Sequence, residues 1–247
     1  MDLTQWRPYD GTLPSGNNLY LWLIHLDAVK DLSGYRAALN SEEKERAGRF
    51  YFEKDRRAYI ITRGFIKARL SAMIDKPADR ITFGYTEKGK PYLPGHTVFF
   101  NVSHSGGLAL AGMTTLAPLG VDVERFRPDM AGEKIAQRFF SQREVAAFNK
   151  LLPIEKTTGF FNAWTRKEAF IKAVGLGLSM PLSAFDVTLK PGMPARLLAV
   201  RHAPYKATDW HLKALPVPES YAAAFCIKHQ NPEICLWRVP DKHDRID

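Results

Sequence analysis

The chain is 247 residues long, 45% hydrophobic and 25% charged, a globular composition that excludes collagenous, low-complexity and intrinsically disordered classes. That length suits one large domain or two small ones, each able to bury a core. The 35 Lys+Arg against 26 Asp+Glu leave a formal net charge of +9, which draws polyanions: nucleic acid, an acidic membrane face, a phosphorylated cofactor or an acidic protein.

In chain order, the apolar run LYLWLIHL (19–26), bounded by Gly16-Asn17-Asn18 and Asp27, predicts a buried strand. From Ser41 the pattern turns helical, with Ser41 as the expected N-cap and Lys44 where a capping box needs Glu. A second helix is expected from about Asp55 to Met73, with Tyr59, Ile66, Leu70 and Met73 on one face. Residues 41–70 carry Lys44, Arg46, Arg49, Lys54, Arg56, Arg57, Arg63, Lys67 and Arg69, which a solvated helical face with i,i+4 ion pairs would explain. FGYTEKGKPYL (83–93) reads as strand–turn–strand with Gly89-Lys90-Pro91 at the corner. VFFNVSHSGGLALAGM (98–113) reads as two strands around a Ser-His-Ser-Gly-Gly turn, and LGVDVE (119–124) as another strand. Helix is expected over 133–150 and from Thr157 to Val174, stopped by Gly175. Short strands at 184–190, 195–202, 210–215, 221–227 and 234–239 alternate with Pro/Gly turns, and no linker separates domains. A faint internal repeat relates RFY (49–51) and TRGFIKA (62–68) to RFF (138–140) and TRKEAFIKA (165–173). It suggests two pseudo-symmetric halves meeting near 115–120.

Three constellations carry chemistry. In Gly120-Val121-Asp122-Val123-Glu124 the two acids share one strand face while the valines face the core. Paired hard oxygen ligands suit Mg²⁺, although an edge strand with its polar face in water has the same pattern. In Trp164-Thr-Arg-Lys-Glu168-Ala-Phe-Ile-Lys172, Trp164, Glu168 and Lys172 form an i, i+4, i+8 stripe, which alone is also an ordinary helical ion pair. Lys167 falls inside the apolar stripe between Phe160 and Val174, so it must snorkel or meet an anion. In Phe100-Asn101-Val102-Ser103-His104-Ser105-Gly106-Gly107, hydroxyls and open backbone N–H groups beside a histidine make an anion-binding setting. The chain has no G-x-S-x-G elbow and no zinc-ligand spacing, which argues against a hydrolase or a zinc protein.

In order, FNVSHSG, GVDVE and W-x-x-K-E-A-x-x-K followed by GLGLS resemble the 4′-phosphopantetheinyl transferase superfamily, in its Sfp-type, two-halved branch. KGKPYL and the RF…DRR…TR segment are similar to it as well, so the resemblance spans about residues 40–190. It implies an α+β pseudo-twofold fold, each half a small antiparallel sheet packed with helices. Residues 1–118 would form the half that holds the phosphate and adenine end of coenzyme A, and 119–247 the half with the metal and catalytic motifs. The implied activity is of the holo-[acyl-carrier-protein] synthase type. The phosphopantetheine arm of coenzyme A passes to a serine of an acyl or peptidyl carrier protein, with Mg²⁺ required and adenosine 3′,5′-bisphosphate released.

By the same resemblance Asp122, Glu124 and Glu168 bind Mg²⁺, while Lys172 and Lys167 contact the pyrophosphate. Ser103 and His104 hold the 3′-phosphate end, Gly89, Lys90 and Pro91 pack along the adenine, and Lys44, Arg46 and Arg49 supply the basic cluster. Glu168, or a water beside it, is the candidate base, and Lys172 the group that stabilises the leaving phosphate. The basic surface would then serve acidic carrier proteins. Two other readings compete: a nucleic-acid binder, for which no RNP1, helix-turn-helix or zinc pattern is present, and a carrier-docking module without turnover. The expectation is a monomer with no nucleic-acid or membrane partner. No run approaches the ~20 apolar residues of a spanning helix, and MDLTQWRPYDGTLP lacks a basic-then-apolar leader. Two cysteines, Cys226 and Cys235, suit a reducing compartment, so a cytoplasmic location is expected.

Overall fold

The computed structural model describes residues 3–127, 129 and 131–239. The expected halves' outer ends, 1–2 and 240–247, lie outside the described residues. The chain runs through β1 (Arg7–Pro8), β2 (Asn18–His25), α1 (Ser33–Ala37), α2 (Ser41–Gly48) and α3 (Glu53–Ile74). The hairpin β3 (Gly84–Tyr85) and β4 (Pro91–Tyr92) follows, then β5 (Phe99–Ser105), β6 (Leu108–Thr114) and β7 (Leu119–Arg125). Beyond these come α4 (Glu133–Phe139), α5 (Gln142–Asn149), α6 (Pro153–Val174), β8 (Phe185–Val187) and β9 (Leu197–Val200). The last strands are β10 (His211–Ala214), β11 (Tyr221–Ile227) and β12 (Glu233–Arg238).

The architecture is α+β and two-halved, built in four layers: α3, a five-stranded sheet, a three-stranded sheet and α6. The first sheet has the order β1-β12-β2-β6-β5 and the second β10-β11-β7. Strand period puts alternate side chains of β2 into two different cores. Tyr20, Trp22 and Ile24 pack on Phe65, Ile61 and Leu70 of α3. Leu19, Leu21 and Leu23 instead meet Val121, Val123, Ala223 and Phe225 of the second sheet. That shared apolar layer joins the halves. On the outer face of the second sheet, Ala169, Phe170 and Ala173 of α6 pack on Ala222, Ala224 and Cys226. Close approach requires Gly120: a Cβ there would stand 2.1 Å from the Ala169 carbonyl oxygen and 2.3 Å from the Ala173 nitrogen.

Three local expectations are corrected. The N-cap of α2 is Asn40, not Ser41, and it forms a full capping box with Glu43, one residue before the expected register. The helix expected over 133–150 is broken by extended Phe140 and Ser141, and Ser141 caps α5 through a second box with Glu144. The chain's last strand, β12, returns to the first sheet, parallel to both β1 and β2. The first sheet is therefore mixed rather than antiparallel, and the expected division at 118/119 is crossed by residues 233–238. Parallel pairing there is possible because β12 reaches β2 by a long crossover through the second half.

Candidate active site at the seam between the halves

Each sheet ends in an unpaired edge at the seam: β5 closes the first and β7 the second. The two edges meet through side chains rather than a backbone ladder. Asn101, Ser103 and Ser105 project from one face of β5 by strand alternation. The Asn101 Oδ1 accepts the Val121 N–H at 2.8 Å, and the Ser103 hydroxyl donates to Asp122 Oδ1 at 2.8 Å. The Ser105 hydroxyl donates to Glu124 Oε2 at 2.6 Å and accepts the Arg125 N–H at 3.1 Å. This row seats Asp122 and Glu124 against α6, from which Glu168 and Lys172 project one turn apart.

Lys172 is the hub. Its ammonium donates to Asp122 Oδ1 at 2.6 Å and to Ser103 Oγ at 3.1 Å. Burial disfavours its charge, but Asp122, Glu168 and Glu124 together outweigh burial and hold its pKa above the ordinary lysine value. Burial pushes the Glu168 carboxyl up to about 7, Asp122 and Glu124 add to the rise by repulsion, and Lys172 opposes it. Glu124 is raised as well, first by burial, against the Ser105 hydrogen bond. Asp122 is almost wholly buried, and its Oδ2 has no hydrogen-bond partner among the described residues. An orphaned buried carboxylate oxygen beside two further acids suits, in chemistry, a hard divalent cation. As the side chains stand among the described residues, no three potential ligands converge on one point. The countercharge at Asp122 is the Lys172 ammonium.

The opposite face of β5 lines a second space. Phe100, Val102 and His104 border a cavity of about 320 Å³ together with Arg46, Tyr59, Arg63 and Tyr85, and with Gly89 and Pro91 of the β3–β4 turn. His104 is part of its lining, and desolvation keeps the imidazole below its ordinary pKa. Arg63 is anchored: its guanidinium donates to the Tyr85 hydroxyl at 2.5 Å, lies 4.5 Å from the Phe83 ring centre, and has its Nε 3.1 Å from Glu43 Oε1. Arg63, Tyr59 and Tyr85 were not among the sequence candidates. Tyr59 and Arg63 stand four residues apart on one face of α3, the same spacing that singled out Glu168 and Lys172.

Several candidates are brought together and several are not. Asp122, Glu124, Glu168, Lys172 and Ser103 form one group, while Arg46, Gly89, Pro91 and His104 border the cavity. Ser103 and His104, expected to act on one group, face opposite sides of β5 because both lie within the strand rather than in the turn. Lys167 is corrected: its fully buried ammonium pairs with Glu144 at 2.7 Å and donates to the carbonyls of Leu182 and Phe185, so it cannot meet a pyrophosphate. Lys44 lines a separate groove with Arg36 and Arg56, and Arg49 pairs with Glu45 at the surface. The Lys90 side chain leaves the cavity for the end of α6.

Comparison with known proteins decides the family. Residues 118–226 match the family model of the 4′-phosphopantetheinyl transferase superfamily, and residues 28–115 that of the 4′-phosphopantetheinyl transferase N-terminal region. The chain is 34% identical over 226 residues to 4′-phosphopantetheinyl transferase HetI of Nostoc, covering 90% of this chain and 92% of that protein. The chain belongs to the 4′-phosphopantetheinyl transferase superfamily. A 4′-phosphopantetheinyl transferase of Bacillus subtilis is 32% identical over 81% of this chain and 85% of its own. The Sfp transferase of that species is 30% identical over 79% and 84%. The first matched region ends at residue 115 and the second begins at 118, just before β7, so the acidic strand lies at the start of the second matched region.

Proposed function

We propose that this transferase moves the 4′-phosphopantetheine arm of coenzyme A onto a serine hydroxyl of an acyl or peptidyl carrier protein, releasing adenosine 3′,5′-bisphosphate. The observation that carries this reading is the seam itself. An acidic group with a lysine and an anion-ready cavity lie on the two faces of one strand, β5, so a single elongated diphosphate ester can reach both. The cavity, with Arg46, Arg63 and His104, would take the adenine and 3′-phosphate end. Asp122, Glu124 and Glu168 would hold Mg²⁺, which when bound supplies charge neutralisation at the pyrophosphate oxygens.

The chain's own groups account for the proton movements. Glu168, or a water beside it, would accept the serine proton; burial raises the carboxyl to about 7 in the metal-free site, and a cation bound there would lower it. Lys172, held charged by three acids, would stabilise the leaving phosphate. Ser103 orients both Lys172 and Asp122. Both sides of the seam come from one chain, so a monomer suffices, and its net charge of +9 favours encounter with an acidic carrier. Intact-mass measurement of an apo carrier protein after incubation with coenzyme A and Mg²⁺ tests the reading. A phosphopantetheine mass increment that EDTA abolishes is expected; no increment across a panel of acyl, peptidyl and aryl carriers would refute it.

A further inference from the structure

We propose that Lys90 is a positioning residue that couples the coenzyme A cavity of the first half to the catalytic helix of the second. The proposal rests on the function just described. Lys90 sits in the β3–β4 turn, and its neighbours Gly89 and Pro91 form part of the cavity wall. Its side chain runs the other way. The ammonium donates to the carbonyls of Lys172 at 2.6 Å, Leu119 at 3.0 Å and Ala173 at 3.2 Å.

The two acceptors in α6 have a physical reason to want it. The last carbonyls of a helix lack intrahelical partners, and α6 ends at Val174 with left-handed Gly175 as its cap. The helix dipole places negative potential at that end, which favours a cation. Three acceptors around one nitrogen require three N–H donors, and among side chains only a protonated lysine amine presents three from a single atom. Lysines in surface turns normally leave the charged head in water. Here the head is buried, with the thiol of Cys226 as the titratable group facing it, and burial draws the amine down to about 8.

The bonded positions are informative. Lys172 carries the amine at the centre of the acidic group, and Leu119 opens the strand that presents Asp122 and Glu124. One side chain from the cavity turn therefore fixes the end of the catalytic helix and the start of the acidic strand. A ligand that orders the turn around Gly89 and Pro91 would, through Lys90, also order the backbone of Lys172.

The test uses the full chain, hydrogen exchange and adenosine 3′-monophosphate, a probe that lacks the pyrophosphate Lys172 would meet. In the wild type, the probe should slow amide exchange both at 86–90 and at 171–175. In Lys90→Met it should slow exchange at 86–90 only, while kcat for pantetheine transfer falls about 10-fold to 100-fold at a temperature where the variant is folded. Lys90→Arg, which keeps a charged donor, should recover part of that loss. Protection at 86–90 without protection at 171–175 in the wild type overturns the coupling and leaves the functional reading standing; this arm holds even if Lys90→Met does not fold. A folded Lys90→Met with wild-type kcat also overturns it. No protection at 86–90 in the wild type overturns the assignment of the cavity, and the coupling with it.

Discussion

At the scale of single residues, the sign of several effects is set by neighbours. An acidic trio considered alone would gain stability on losing one member, because like charges repel. Asp122 instead carries the Lys172 ammonium and the Ser103 hydroxyl, so Asp122→Ala strands a lysine and a hydroxyl at the seam. We expect transfer to fall by orders of magnitude and the melting temperature of the ligand-free protein to drop by a few degrees, measured by carrier mass shift and calorimetry. Lys167 gives the opposite separation. Removing one partner of a buried pair costs about 3–5 kcal/mol, so Lys167→Met should lower the urea midpoint markedly. The KM for coenzyme A of the folded enzyme should stay at the wild-type value. A large KM change without loss of stability would return Lys167 to the pyrophosphate.

At the scale of elements, the halves repeat one device. Glu43 completes the capping box of α2 and binds the fully buried Lys67 of α3 at 2.5 Å; Glu144 completes the box of α5 and binds the fully buried Lys167 of α6. In each half a short helix is thus bolted to a long one by a capping glutamate, which adds tertiary support to a helix too short to be stable alone. The α6–β7 contact depends on Gly120, so Gly120→Ala should push α6 outward. It should destabilise the protein by at least ~1–3 kcal/mol and depress turnover together, since Glu168 and Lys172 ride on that helix. Nearby, the Arg201 guanidinium grips Asp186 with two bonds of 2.8 Å and holds its carboxyl below the ordinary 3.8. A lowered carboxylate pKa means stability that is complete above the unfolded value and lost as pH falls through the folded one. The stability gap between wild type and Asp186→Asn should therefore be constant near neutrality and close below pH 3.8. A gap unchanged down to pH 3 would contradict the ion pair's contribution.

At the scale of the whole molecule, the C-terminal strand is the tie. β12 supplies β2 with its parallel neighbour along six residue pairs, and among the described residues β1 pairs with the sheet through β12 alone. A chain ending before β12 loses Trp237 and exposes the backbone edge of β2 beside what remains of its aromatic cluster, Tyr9, Tyr20 and Trp22. Such a truncation should lose near-ultraviolet circular dichroism and aggregate, although every proposed site residue lies outside the deleted segment. Native-like spectra and transfer activity from the truncated chain would show that the first sheet needs no return strand.

Much of this protein is written in local pattern. The period-two acids of Gly120–Glu124, the i, i+4, i+8 stripe of Trp164, Glu168 and Lys172, the helix stop at Gly175 and most strand positions follow from spacing alone, because strand and helix periods are backbone geometry. The family resemblance in FNVSHSG, GVDVE and W-x-x-K-E-A-x-x-K was legible for the same reason: those residues stand at fixed offsets within single elements. Contacts between elements were not legible. That Lys167 pairs with Glu144, that Lys90 reaches α6, that Arg63 turns into the cavity and that β12 crosses back to β2 all depend on which surfaces meet. A buried lysine and a ligand-facing lysine look identical in a sequence. Only the neighbouring element, supplied by packing between distant segments, decides whether the amine finds a carboxylate, a row of helix carbonyls or open solvent.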